Sequence, residues 1–269
     1  SGAQKAVAQL TTVPCGATDW RLPAHNLLVA SNDVHVWRAS LKQPSMTVRN
    51  LAQTLSKTES AKANSFYFKA DQRRFVVGRG VLRQLLSLYL DIEPHQLMFR
   101  YSSNGKPYLG GEFDASKLRF NLSHSNELAL YAFTVGREVG VDLEYLRKLP
   151  DMENIAARFF SERENTELRA LPEHDKLLAF FTCWTRKEAF LKATGEGLSY
   201  PLNHFDVSLT PGEPPKLLHV KGDPQAPARW SLRDLKPAPQ YVGTVVAEGA
   251  DWHVTRFQWH RSCIMAANS

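Results

Sequence analysis

Cysteine is scarce and scattered in this chain. The 269 residues hold three, Cys15, Cys183 and Cys263, none in C-x-x-C spacing. That pattern supports neither a disulfide framework nor a zinc cage, and Cys183, inside an apolar segment, reads as a small core residue. No apolar run approaches the roughly 20 residues that span a bilayer. No leader with a basic start, apolar middle and small-residue cleavage site opens the sequence, so a cytoplasmic setting is expected. A block of consecutive lysines and arginines of the kind that forms a nucleic-acid tail is also lacking. The formal charge of +6 is instead spread through segments that look folded. A positive balance implies an anionic partner or substrate, and its dispersal favours a compact anionic ligand, with neither nucleic acid nor a membrane as partner. At 43% hydrophobic, the chain has material for one large domain or two of about half size.

Organisation follows from periodicity. Residues 1–19 show little of it and are expected to form a loosely held N-terminal extension. Strands are expected at Asp33 to Ala39, Leu97 to Tyr101, Leu118 to Leu122, Leu128 to Val135 and Glu138 to Glu144, with the NGKP segment at Asn104 to Pro107 as a turn. Between the first two, Ser60 to Leu90 carries apolar residues near helical spacing, with Arg73, Arg74, Arg79 and Arg83 between them. Further on, Ser161 and Glu164 have the spacing of a capping box, and a second long helix runs from about Glu173 to Thr194, with Gly195 placed to end it. Strands follow at Phe205 to Leu209, Arg229 to Leu235, Tyr241 to Ala247 and Trp252 to Trp259, around proline-rich loops. The expected class is α+β, in two successive halves, residues 20–136 and 137–269, each with a long helix among mainly antiparallel strands and a seam near Gly136. No residue-level repeat between the halves is evident.

One heptapeptide raises a physical question. VGVDLEY, Val139 to Tyr145, reads as a buried strand, yet it carries two carboxylates. Alternation turns Val139, Val141 and Leu143 to one face and Asp142 and Glu144 to the other. Two acids on one face repel and resist desolvation, so they need water, a cation or a metal ion. An amphipathic edge strand wetted on one side would show the same pattern.

In the helix WTRKEAFLKATGEGL, Trp184, Glu188 and Lys192 fall on one face. An exposed Glu-to-Lys pair would be worth only about 0.3–0.5 kcal/mol, but Phe180, Phe181, Phe190 and Leu191 make the helix so apolar that its charged face is expected to line a cleft. Packed together, Asp142, Glu144 and Glu188 would offer oxygen ligands to a hard divalent ion such as Mg²⁺, with Lys192 in reach of a phosphate beyond it. Lys106 in NGKP, and Ser123 and His124 in NLSHS, would add donors from turns. A solvated lysine and a structural histidine are the plainer readings of Lys106 and His124.

With GKPY, FNLSHS, VGVDLEY and FTCWTRKEAFLKATGEGL in that order, the sequence from about Lys57 to Leu209 resembles the Sfp-type 4′-phosphopantetheinyl transferases. The resemblance implies two pseudo-symmetric α+β halves with the active site at their interface. It also implies coenzyme A as substrate, Mg²⁺ as cofactor with Mn²⁺ as substitute, and transfer of 4′-phosphopantetheine to a serine of an apo acyl or peptidyl carrier protein. By position it implies that Asp142, Glu144 and Glu188 hold the metal, that Glu188 is the base, and that Lys192 meets the diphosphate. His124 and Lys62 would meet the 3′-phosphate, Lys106 and Pro107 would wall the nucleotide, and Asn121, Leu122 and Ser123 would complete that wall. Arg74 falls where members carry a basic residue, but Phe75 replaces the hydroxyl side chain that some have beside it.

The carrier is expected to be acidic and to bind transiently, docking along Arg147 to Phe160, and the duplicated architecture implies a monomer. Two rivals remain at the level of sequence: a metal-dependent nuclease, whose acid and lysine sit two apart on a strand rather than four apart on a helix, and a basic binding module without catalysis.

Overall fold

The computed structural model describes residues 20–23, 27–113, 116–197 and 200–260. The expected extension over residues 1–19, together with Cys15 and Cys263, lies outside them. The first part runs β1 (Asp33–Ser40), α1 (Ser45–Ala52), α2 (Lys57–Asn64), α3 (Lys69–Leu90), a hairpin of β2 (Phe99–Tyr101) and β3 (Pro107–Leu109), then β4 (Leu118–Ser125) and β5 (Leu128–Val135). The second runs β6 (Val139–Tyr145), α4 (Met152–Phe159), α5 (Glu162–Ala170), α6 (Glu173–Thr194), a hairpin of β7 (Phe205–Val207) and β8 (Leu217–Val220), α7 (Ala226–Arg229), β9 (Trp230–Leu235), β10 (Tyr241–Glu248) and β11 (His253–Gln258). Helices and mainly antiparallel strands make this an α+β protein.

The single helical region expected over residues 60–90 is two helices. Ser65 closes α2 by donating its hydroxyl to the Lys62 carbonyl, and Phe68 takes an extended conformation before α3 begins. Each half contains a short helix opened by a capping box, Ser56 with Glu59 on α2 and Ser161 with Glu164 on α5. Each also contains one 22-residue helix that ends on a left-handed residue, Asp91 after α3 and Gly195 after α6.

The strands form a four-stranded sheet in the order β11-β1-β5-β4 and a three-stranded sheet in the order β6-β10-β9. β11 pairs in parallel with β1, from Asp33 with His253 to Arg38 with Gln258. A boundary that assigns residues 137–269 to a second half therefore fails for this strand, which completes the sheet of the first. One apolar layer separates α3 from the first sheet and another surrounds α6. A third lies between the sheets, where Val34, Val36, Leu130 and Ala132 meet Val139, Val141, Leu143 and Val245.

Buried ions anchor both long helices. Glu59 takes Arg83 of α3 at 2.7 Å, and Glu164 takes Lys187 of α6 at 2.9 Å. Lys187 also donates to the Leu202 and Phe205 carbonyls, and Arg186 clasps Asp234 and Ser208. Both basic residues before Glu188 are thus consumed by structure. Cys183 is buried in the core, as expected.

Candidate active site at the seam of the two halves

The apolar side of β6 enters the layer between the sheets, and its other side faces α6. Gly140 makes this possible: a Cβ there would run into the Ala189 carbonyl oxygen and the Ala193 amide nitrogen. The absent side chain lets the α6 backbone rest on the strand. Asp142 and Glu144 stand beside that contact on the strand, and Glu188 and Lys192 beside it on the helix. Asp142 is only 4% exposed, so the wetted-strand reading does not hold. Trp184, Glu188 and Lys192 form a half-exposed face on the part of α6 from Ala179 onward, which is otherwise largely buried.

β4 runs along the open edge of β6 and is joined to it by side chains. Asn121 Oδ1 accepts from the Val141 amide at 2.8 Å, Ser125 Oγ accepts from the Tyr145 amide at 3.0 Å, and Ser123 Oγ donates to Asp142 Oδ1 at 3.0 Å. Alternate polar residues thus satisfy an edge that would otherwise carry orphan amides. Asn121 and Ser123 were expected in a nucleotide wall, but their side chains serve this join. Leu122, on the opposite face of β4, packs into the first apolar core. The expectation that Ser123 and His124 lie on a turn fails as well, because β4 continues pairing to Ser125 opposite Leu128.

Lys192 Nζ lies 2.6 Å from Asp142 Oδ1 and 3.1 Å from Ser123 Oγ. Asp142 Oδ2 is buried without a hydrogen-bond partner. Glu144 is held by Ser125 at 3.4 Å and Arg147 at 3.6 Å, and burial and the Asp142 charge push its carboxyl up. Burial pushes Glu188 further, to about 7, with Asp142 and Glu144 adding and Lys192 opposing. The three acids share one electrostatic field, yet among the described residues no three Asp, Glu, His or Cys side chains are close enough to hold a common ion. Mutual repulsion keeps carboxylates apart, and the ammonium engages Asp142 Oδ1.

His124 is exposed at the end of β4, within the fields of Lys192, Arg74 and Asp142. Desolvation and the two cations hold its imidazole below the usual range. Arg74 pairs with Glu127 at 2.6 Å and Asp71 at 3.0 Å. Lys62 is exposed on α2, its ammonium over the ring of Phe75, and the structure does not join it to His124. Phe75 lies tilted against Phe66 and packs on the first core.

NGKP is a turn, as expected, with Gly105 at φ 77. Lys106 is no solvated turn residue: its ammonium donates to the carbonyls of Lys192 and Val139, and Asn104 donates to those of Gly195 and Glu196. Together they close the C-terminal end of α6, where cationic and amide donors are favoured. Pro107 follows, half-buried, at the start of β3.

A family model described as the 4′-phosphopantetheinyl transferase superfamily matches residues 138–246, and one described as 4′-phosphopantetheinyl transferase, N-terminal, matches residues 35–135. The 4′-phosphopantetheinyl transferase HetI of Nostoc sp. is 48% identical over 241 residues, which cover 90% of this chain and 98% of HetI. The chain belongs to the 4′-phosphopantetheinyl transferase superfamily. Two other members are similar: psf-1 of Bacillus pumilus is 31% identical, covering 77% of this chain and 85% of its own. Sfp of Bacillus subtilis is 33% identical, covering 58% and 66%.

In this phosphopantetheinyl transferase the residues not singled out from sequence as parts of the site are Gly140, Ser125, Asn104 and Glu127. The polar alternation N-x-S-x-S of β4 is the signal that could have found Ser125.

Proposed function

We propose that this transferase moves the 4′-phosphopantetheine group of coenzyme A to a serine hydroxyl of an apo carrier protein and releases 3′,5′-ADP. The observation that carries the reading is the cluster of Asp142, Glu144, Glu188 and Lys192 at the seam, in a chain 48% identical to a curated transferase along nearly its whole length.

The donor chemistry of the cluster suits a divalent ion, which would have to draw the three carboxylates together. Its donors are oxygens, Asp142 Oδ2 is buried and unpartnered, and Glu188 is raised by burial and then by Asp142 and Glu144, a repulsion that a hard cation would relieve. Asp142, Glu144 and Glu188 are the residues that would hold Mg²⁺ or Mn²⁺, which supplies charge neutralisation to the diphosphate when bound. The remaining chemistry belongs to the chain. The serine oxygen bonds to the β-phosphorus as the bond to the bridging oxygen breaks, leaving the electron pair on 3′,5′-ADP. Glu188 is the carboxylate assigned to take the serine proton from about 3 Å, directly or through one water. Lys192 offers a fixed cation to the negative charge that grows on the 5′-phosphate of the departing 3′,5′-ADP.

His124 and Arg74, grouped at the open end of β4, are the best-placed contacts for the 3′-phosphate. Lys62 is assigned to its periphery, and Lys106 and Pro107 border the nucleotide through their backbone. The partner is an acidic carrier that binds transiently to a cytoplasmic monomer, and no helix among the described residues is long and apolar enough to cross a membrane. Docking is assigned to Arg147 to Phe160, where Arg147, Glu153 and Arg158 are exposed. Charge reversal at Arg147 and Arg158 is expected to raise the KM for carrier, and an unchanged KM removes this assignment.

The deciding experiment offers a fluorescent coenzyme A analogue and a panel of apo carriers to the protein, with Mg²⁺ or with chelator. Labelled carrier, detected by intact mass only with Mg²⁺, supports the reading. A nuclease or a binding module would leave every carrier unlabelled.

A further inference from the structure

The ammonium of Lys192 is placed where the proposed metal would also act. Asp142 is 4% exposed, and a carboxylate so buried needs a counter-charge. Lys192 provides it at Oδ1, 2.6 Å away, while Oδ2 is unpartnered. The lysine side chain itself is 30% exposed, so its ammonium has solvent on one side and Asp142 on the other. Ser123 stands between them, donating to Oδ1 and accepting from Nζ. Hard divalent cations seek the same carboxylate oxygens.

We propose that Lys192 and a divalent cation are alternative partners of Asp142, so that entry of the ion hands the ammonium over to the diphosphate of the substrate. This rests on the reading of Asp142, Glu144 and Glu188 as metal ligands. Two consequences follow. The ion releases the cation that coenzyme A needs, so metal and substrate each tighten the other, by the same factor in both directions. Ser123 keeps its bond to Asp142 during the exchange and holds that carboxylate in place, which makes it a positioning residue.

The test reads the amine itself. The full chain is treated with limiting acetic anhydride in chelator, in Mg²⁺, and in Mg²⁺ with coenzyme A, and acetylation at Lys192 is measured by peptide mass spectrometry against exposed Lys42. Labelling is expected to rise several-fold with Mg²⁺ and to fall again with coenzyme A. In Asp142→Asn it is expected to be high and indifferent to Mg²⁺. Calorimetry of Mg²⁺ binding to the unmodified protein separates the two ways of failing. Binding heat with unchanged Lys192 labelling overturns the exchange alone, whereas no binding heat overturns the metal assignment and the exchange with it.

Discussion

β1 with α3 and β6 with α6 are built to one plan and put to different uses. Residues 34–40, VHVWRAS, and 139–145, VGVDLEY, each pair antiparallel with the next long strand of their sheet, β5 or β10. Each lies against a 22-residue helix. Arg83 and Lys187 occupy the same position along those helices and meet equivalent capping-box glutamates. The strand residues that face the helix are where the halves part company. His35, Trp37 and Ala39 of β1 correspond to Gly140, Asp142 and Glu144 of β6. On the helices, Gln84, Leu88 and Tyr89 correspond to Glu188, Lys192 and Ala193.

In the first half, His35 and Trp37 both reach the Tyr89 hydroxyl, at 2.9 and 2.7 Å, and large rings fill the space between strand and helix. In the second, Gly140 against Ala189 and Ala193 removes that filler and brings the two backbones together. Polar side chains that flank a close backbone contact meet one another, whereas those that flank a layer of rings do not. Small residues in one half, more than the acids themselves, assemble the site.

The largest effect expected from breaking this contrast is at Asp142. Asp142→Ala is expected to lower transfer by roughly 10³-fold or more at ordinary Mg²⁺, the scale of losing a principal electrostatic element, with the circular dichroism spectrum unchanged. Full activity would refute metal ligation there. Next come the equivalent buried pairs. Lys187→Met strands the buried Glu164, which costs about 3–5 kcal/mol, whereas Arg83→Met leaves Glu59 with Arg79 at 3.5 Å and is expected to cost less, both measurable by urea denaturation. The larger loss at Lys187 sharpens the comparison, and a small loss there breaks it. Third is Gly140→Ala, which forces α6 off β6 at about 1–3 kcal/mol in stability. It is also expected to lower kcat about 10²-fold, because displacement of roughly 1 Å misaligns the reacting groups. A loss of stability with kcat preserved would show that close packing is not what assembles the site.

The sequence disclosed more of the site than of its setting. D-x-E on a strand and E-x-x-x-K on a helix have fixed directions, so which side chains share a face could be read from spacing, as could the capping box at Ser161 and the stop at Gly195, whereas the meeting of the two faces rested on the resemblance. α1 and α4 escaped notice because eight-residue helices carry little periodic signal. The parallel pairing of β11 with β1 joins the two ends of the described chain, and no local pattern announces so distant a partner. The repeat was hidden because equivalent positions differ in chemistry: histidine against glycine, tryptophan against aspartate, arginine against lysine. The contacts of Lys106 were hidden for another reason. A turn lysine looks solvated until the helix end it closes is in view.

The smallest effect concerns His35, the counterpart of Gly140. It lies between Asp33, 2.9 Å from Nε2, and Tyr89, 2.9 Å from Nδ1, with Arg21 and His253 also acting on it. Burial is the main cause and lowers its pKa below 6.5, against the pull of Asp33. A group whose pKa is lower in the folded than in the unfolded chain binds fewer protons when folded. Its contribution to stability is therefore complete above the unfolded value and is lost as pH falls through the folded one. Thermal stability is expected to decline as pH drops below 6.5, and His35→Gln, which keeps polar atoms but cannot titrate, should flatten that decline. The variant should leave the pH dependence of kcat unchanged, because His35 lies behind α3, in the half that supports the chemistry without performing it. A shifted kcat profile would mean that the rings of the first half and the acids of the second are coupled after all.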